Sequence, residues 1–202
     1  MNTNIQWKRA LRSAVVAATA IAASGAAAVA QDHAHGAPSP AQPLSSDQQQ
    51  ATSQLVADVR QATARYQDVL LAQRDGYALG FGCVSGSGGE GAMGMHFINS
   101  TLVGDAEVRV DRPEIILYEP SADGSLRITG ADYLVDAATW DAAHAGPPQL
   151  EGQLFHYFES PNRFGLKPFY TLHVWAWKDN PNGAFANWNP AVSCDAFSGT
   201  SR

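Results

Sequence analysis

One amphipathic segment near the start of the chain most strongly constrains the fold. Between Ser45 and Gly76, apolar residues recur at the spacing of one helical face. The residues of this stripe are Leu55, Val59, Ala62, Tyr66 and either Val69 or Leu70. Ser45 and Gln48 fit a capping box, and Gly76 fits a C-terminal cap. The pattern predicts one long helix with one buried face, and no later segment predicts a second helix of this quality.

The sequence after this segment has the composition of β-strands. Five stretches favour strands, namely "GAMGMHFIN", "EIILYEP", "SLRITGADYLVDA", "QLFHYFE" and "PFYTLHVWAW". One long helix followed by several strands predicts an α+β fold, in which the helix packs on a curved, mainly antiparallel β-sheet. The alternative is a β-sandwich or barrel with an appended helix.

The first 30 residues have the features of a signal peptide. Lys8, Arg9 and Arg12 precede an Ala-rich apolar run, which ends in an A-x-A motif at Ala30, before Gln31. The apolar run is shorter than the roughly 20 residues of a membrane-spanning helix. These features predict cleavage near Ala30 and a periplasmic or secreted protein.

The remaining chain divides into a linker and a folded part. Residues 31–44 are rich in Pro and Ala and predict a disordered linker, while residues 45–202 predict a single globular domain. Loss of residues 1–30 removes three of 13 basic residues and none of 19 acidic ones, so the formal charge becomes −9. This charge argues against nucleic acid or an anionic membrane as a partner. No stretch after residue 30 predicts a membrane span.

Two cysteines, Cys83 and Cys194, are present in the whole chain. In an oxidising compartment, two thiols usually form a disulfide. Such a bond would link the end of the chain to the beginning of the β-rich part. A metal-bound or free pair of cysteines is the alternative.

Candidate metal ligands are dispersed over the predicted strands. The folded part contains neither an H-E-x-x-H nor a C-x-x-C motif. Three histidines, His96, His156 and His173, lie in strand-like stretches, and Glu119 or Glu114 could supply a carboxylate. Imidazole and carboxylate groups suit a divalent transition metal such as Zn, Cu or Fe. Histidines among apolar strand residues can equally be hydrogen-bonded members of a core.

Two methionines lie beside the first of these histidines. On an ideal strand, Met93 and Met95 point away from His96, because successive side chains alternate between faces. A copper site with Met and His ligands would therefore require a β-bulge or a loop here. Packing in the core is the alternative for both methionines.

Aromatic residues and His–carboxylate pairs leave other functions open. A pocket for a small aromatic or lipid-like ligand could be lined by Tyr133, Phe158, Tyr170, Trp175 and Trp177. A small lyase or hydrolase could use His156 or His173 with Asp132 or Glu119 as an acid–base pair. A third possibility is a non-catalytic interaction protein of the cell envelope.

Two sequence blocks carry a resemblance to known proteins. The stretch "GAMGMHFIN", and "HVWAWKDNPNGAFANWNPAVSC" further on, resemble blocks of a family of uncharacterised secreted bacterial proteins. The resemblance extends roughly from Arg65 to Asp195. It implies one exported domain with a Cys83–Cys194 link, and it implies no activity, substrate or cofactor.

Overall fold

The structure is a computed structural model that describes residues 43–199. The predicted signal peptide over residues 1–30, and the predicted linker up to residue 42, lie outside these residues. Within residues 43–199, no helix has the length and apolar composition needed to cross a membrane.

Four α-helices and eight β-strands are present in residues 43–199. The helices are α1 (Ser46–Thr63), α2 (Val69–Arg74), α3 (Ser100–Val103) and α4 (Ala137–Ala143). The strands are β1 (Ala78–Ser85), β2 (Ala92–Ile98), β3 (Ile115–Pro120), β4 (Leu126–Asp136), β5 (Gln149–Leu150), β6 (Gln153–Leu154), β7 (His156–Phe158) and β8 (Phe169–Val174). This composition confirms the α+β class.

The predicted long helix begins as expected but is interrupted. Both bonds of the capping box form, because the Ser45 backbone N–H donates to Gln48 and the Gln48 N–H donates to Ser45. The α-helix ends at Thr63, a 3₁₀ turn follows over Ala64–Gln67, and Asp68 caps a second helix. One cause is a competing tertiary bond, since the Tyr118 hydroxyl donates to the Tyr66 carbonyl oxygen at 2.7 Å.

Six strands form one antiparallel sheet that curls into a half-barrel. The strand order is β1-β2-β3-β4-β8-β7, and β5 and β6 form a separate hairpin. The two ends of the sheet approach each other on one side. The rings of Phe81 on β1 and Phe164, which follows β7, are 5.7 Å apart, and Arg163 donates to the Ser85 carbonyl oxygen. The side on which these residues meet is the concave face of the sheet.

Helices α1 and α2 cover the other side, which we call the helix face. Its larger buried residues come from the first helix and from alternating strand positions: Leu55, Val59, Tyr77, Met95, Phe97, Tyr118, Tyr133, Leu172 and Val174. The concave face carries a third apolar cluster, built on Ile115, Leu117, Leu134 and Phe169. The pleat of the strands therefore separates two buried layers with different compositions.

The predicted disulfide joins Cys83 on β1 to Cys194, 111 residues away. Closing a loop of this length is worth roughly 4–5 kcal/mol in the chain-entropy description. Next to it, Asn189 exchanges two backbone hydrogen bonds with Ala92 on β2, at 3.1 and 3.2 Å. The segment before Cys194 is thus attached to the first two strands.

Candidate metal centre

The sheet brings two histidines and a carboxylate together on its concave face. Asp132 on β4 pairs directly with His173 on β8, and opposed residues point to the same side. His96 lies on β2, three strand steps from β8. A flat sheet with strands about 4.8 Å apart would separate these histidines by roughly 14 Å, yet their ring centroids are 5.8 Å apart. The curl of the sheet assembles the group.

The three side chains, His96, Asp132 and His173, form what we call the His/Asp cluster. Each offers one ligand atom, these atoms all lie within 4.8 Å of one another, and all three residues are buried. Around one ion with bonds of about 2.0–2.2 Å, tetrahedral ligand atoms lie roughly 3.3–3.6 Å apart, so binding would bring the most distant pair closer by up to roughly 1.5 Å.

Hydrogen bonds orient two members of the cluster. Nδ1 of His96 lies 3.1 Å from the carbonyl oxygen of Gly94. Because a carbonyl oxygen only accepts, Nδ1 carries the proton and Nε2 keeps its lone pair for a ligand. The Thr171 hydroxyl donates to Oδ1 of Asp132. Bonds of this kind commonly fix metal-binding imidazoles and carboxylates in place.

The third member, His173, lacks such a partner. Neither of its ring nitrogens has a hydrogen-bond partner among residues 43–199, although the residue is only 3 % exposed. Its Nδ1 lies 3.5 Å from Oδ1 of Asp132, which is too long for a good hydrogen bond. A buried imidazole with two unused nitrogens is uncommon, because burial removes the water that would otherwise satisfy them.

Burial also sets the protonation states of the cluster. It lowers the pKa of His96 to about 4, with a further decrease from the neighbouring His173. It lowers the pKa of His173 to about 3, with a smaller contribution from His156. Burial raises the pKa of Asp132 to about 6, although His96 and the Thr171 hydroxyl oppose the increase. At neutral pH the cluster therefore holds neutral imidazoles and a carboxylate, which are the forms that bind metals.

A small, mainly apolar cavity adjoins the cluster. Its walls include four phenylalanines, Phe81, Phe158, Phe164 and Phe169, as well as Met93. The cavity has a volume of about 20 Å³. This space holds a single ion or a water molecule, and it is too small for a typical organic ligand.

Of the predicted ligands, His96 and His173 come together, and His156 lies outside the cluster. His156 is exposed on β7, where it pairs with Thr171. Its strand partner Thr171 donates to Asp132, so His156 lies near the rim of the site.

The structure places Glu119 and Glu114 away from the cluster and brings Asp132 to the two histidines instead. Glu119 forms an ion pair with Lys178 at 2.5 Å and accepts a hydrogen bond from the Ser193 backbone N–H at 3.0 Å. Glu114 is buried and accepts a hydrogen bond from the Leu134 N–H at 3.0 Å. Asp132 was considered from the sequence only as an acid–base partner.

The five predicted pocket aromatics are divided between the two faces. Phe158 lines the cavity on the concave face. Trp175 is buried, and its ring centroid lies 6.2 Å from that of His173. The other three pack against the core of the helix face: Tyr133, Tyr170 and Trp177. They therefore do not form one pocket with Phe158.

Sequence reasoning missed Thr171 as a partner of the site. The alternation of Thr171 and His173 on one strand places both on one face, which was readable from the sequence. The pairing of β8 with Asp132 on β4 required the register of the sheet, and no local pattern specifies it.

Comparisons of this chain with protein-family models, with curated proteins and with solved structures give no match.

Proposed function

We propose that this protein binds a first-row transition-metal ion through His96, Asp132 and His173, outside the cytoplasm. The observation that carries the proposal is the buried His173, whose two ring nitrogens have no hydrogen-bond partner among residues 43–199. A buried polar group left without a partner costs about 1–3 kcal/mol. A bound metal ion would use the lone pair of this imidazole.

The geometry favours one assignment of the nitrogen atoms. Nδ1 of His173 lies 3.5 Å from Oδ1 of Asp132, which is close to the separation of two ligand atoms on one tetrahedral ion, so Nδ1 would bind the ion. His96 would bind through Nε2, because its Nδ1 donates to Gly94. Two imidazoles with a carboxylate suit Zn(II), Cu(II) and Fe(II), with further positions open to water or another ligand.

Export rests on two features of the chain. The first 30 residues have the pattern of a signal peptide. The Cys83–Cys194 disulfide is of a kind that persists in oxidising compartments. A metal-binding protein of the periplasm or the extracellular space is consistent with both.

Metal binding is favoured over the enzyme alternative by the size of the cavity. A hydrolase or lyase acting on an organic substrate needs space beside its acid–base pair. The cavity beside Asp132 and His173 has a volume of about 20 Å³, which suits an ion rather than a substrate.

The test is metal analysis of protein purified without an affinity tag and reconstituted with Zn(II), Cu(II) or Fe(II) in turn. We expect one equivalent of one of these metals in the wild type, and none in His96→Gln or His173→Gln. Metal at 100 times its Kd should also raise the free energy of unfolding by about 2.7 kcal/mol.

The matched control is His144→Gln, because His144 is exposed and stacked on Trp140, with ring centroids 3.7 Å apart. This variant should keep the full equivalent. Sub-stoichiometric metal in the reconstituted wild type, for all three ions, would refute the proposed function.

A further inference from the structure

A β-bulge lies beside the first histidine of the cluster. Val84 on β1 pairs with Gly94 on β2, but the next residue, Ser85, pairs with Ala92. One step on β1 therefore corresponds to two steps on β2, and Met93 is the additional residue. Such an insertion interrupts the alternation of side chains between the two faces.

Glycine makes this bulge possible. Gly94 has a φ of +88°, a conformation that other residues rarely adopt. A Cβ atom at this position would also lie 2.6 Å from the carbonyl oxygen of Tyr118. The same Gly94 offers its own carbonyl oxygen to Nδ1 of His96. The bulge and the orientation of the imidazole therefore depend on one residue.

The bulge turns one methionine into the site and leaves the other outside it. Met93 is 3 % exposed and lines the cavity together with His96, Asp132 and His173. Met95 is 5 % exposed and packs in the core of the helix face. Two methionines that are two positions apart thus lie in the two different layers of the molecule.

The C-terminal segment holds the bulge from outside. Asn189 is fully buried and pairs with Ala92, the residue directly before Met93. The Cys83–Cys194 disulfide fastens the same segment to β1. These contacts fix the backbone on which Met93 is carried.

We propose that Met93 supplies a thioether ligand and that the ion of the site is copper, bound as Cu(I) as well as Cu(II). This inference rests on the proposed metal site. Thioether sulfur is a soft ligand that selects Cu(I), whereas imidazole binds both copper and zinc. Charge supports the same ion, because Cu(I) beside the Asp132 carboxylate gives a neutral pair. Cu(II) beside the same carboxylate leaves one positive charge in an apolar cavity, which is costly, so Cu(I) is the favoured state.

The test compares Met93→Leu with Met95→Leu, two identical substitutions at buried methionines of opposite faces. Cu(I) affinity is measured by competition with a chromophoric Cu(I) chelator under anaerobic conditions, and Zn(II) affinity by competition with a zinc indicator. We expect Met93→Leu to weaken Cu(I) binding by about tenfold or more, since a soft ligand is lost. Its Zn(II) affinity, and both affinities of Met95→Leu, should stay within about threefold of the wild type.

X-ray absorption of the Cu(I)-loaded wild type gives an independent readout, in which a sulfur ligand is expected. Equal Cu(I) affinity of the two variants, an equal loss of Cu(I) and Zn(II) in Met93→Leu, or a spectrum without sulfur would overturn the copper assignment. In each of these cases the wild type still binds metal and the proposed function stands. A wild type that binds no metal refutes the proposed function instead.

Discussion

The two faces of the sheet are built from the same strands, but their buried polar groups differ in hydrogen bonding. On the helix face, the buried tyrosines and the partly buried Trp177 have partners: the Tyr118 hydroxyl bonds to Tyr66, that of Tyr133 bonds to Val110, and Trp177 bonds to Thr63. On the concave face, His173 has two unused nitrogens among the described residues. Two other buried oxygens among residues 43–199, Thr129 Oγ1 and Asn187 Oδ1, also lack a partner. What distinguishes His173 is that its unused nitrogens lie beside a second histidine and a carboxylate.

The largest change in the free energy of unfolding is expected from a substitution in the core of the helix face. Leu55→Ala removes a side chain that is 1 % exposed, and it should lower the free energy of unfolding by about 4 kcal/mol. Urea denaturation measures this loss. The folded variant should still bind one equivalent of metal, and a loss of metal from folded protein would show that the faces are not independent.

The next change in stability is expected at a buried carboxyl group outside the His/Asp cluster. Burial raises the pKa of Glu114 to about 8, above its value of about 4.5 in the unfolded chain. The native state then holds a proton that the unfolded state has lost, so this group makes stability fall as pH rises from about 4.5 to 8.

Glu114→Gln isolates this contribution. At pH 8 the variant should be more stable than the wild type by about 4 kcal/mol, because the native pKa lies about 3.5 above the unfolded value and one pKa unit corresponds to about 1.4 kcal/mol. At pH 4 the two proteins should be nearly equal. Urea denaturation at both pH values is the measurement, and a constant difference between them would contradict the assignment.

A smaller gain in stability is expected from a substitution in the His/Asp cluster. His173→Leu removes the imidazole with unused nitrogens and fills the site with apolar atoms. The metal-free variant should gain about 1–2 kcal/mol in free energy of unfolding, since an unsatisfied buried group is lost, and it should bind no metal. Thermal unfolding in the presence of a chelator tests this. A destabilised metal-free variant would show that His173 contributes to the fold.

The smallest effect is expected at the rim. His156 is exposed and lies outside the cluster. His156→Ala should change the free energy of unfolding by less than about 0.5 kcal/mol, and metal affinity by less than about threefold. Isothermal titration with the metal that the wild type retains checks this expectation. Complete loss of binding would place His156 among the ligands.

Local features of this fold were predictable from the sequence because their chemistry is local. The Ser45–Gln48 capping box forms as expected. The stretch "DNPNG" has the residues of a type I turn, with Pro181 at its second position, and the Gly183 N–H donates to the Asn180 carbonyl oxygen at 2.9 Å. The disulfide could be predicted because the sequence has two cysteines and an N-terminal segment with the pattern of a signal peptide.

Features that depend on distant parts of the chain were not predictable. The helix is interrupted near Tyr66 because Tyr118, from β3, bonds to its carbonyl oxygen. Trp177 was expected to line a pocket together with Phe158, but β8 ends at Val174 and the Trp177 indole reaches Thr63 on α1. The sequence indicated only that a bulge would be needed for Met93 to join His96. The register that creates this bulge is a property of the sheet.

The backbone bridge between Ala92 and Asn189 also bears on the stage of folding at which the site can form. Parts of the site come from β2, β4 and β8, and the support for Met93 comes after all of them in the chain. A nascent chain in which Asn189 has not yet left the ribosome lacks this support, and a reduced chain lacks the link at Cys194. Under the proposed function, high-affinity metal binding is therefore expected only after Asn189 has paired with Ala92 and the disulfide has formed.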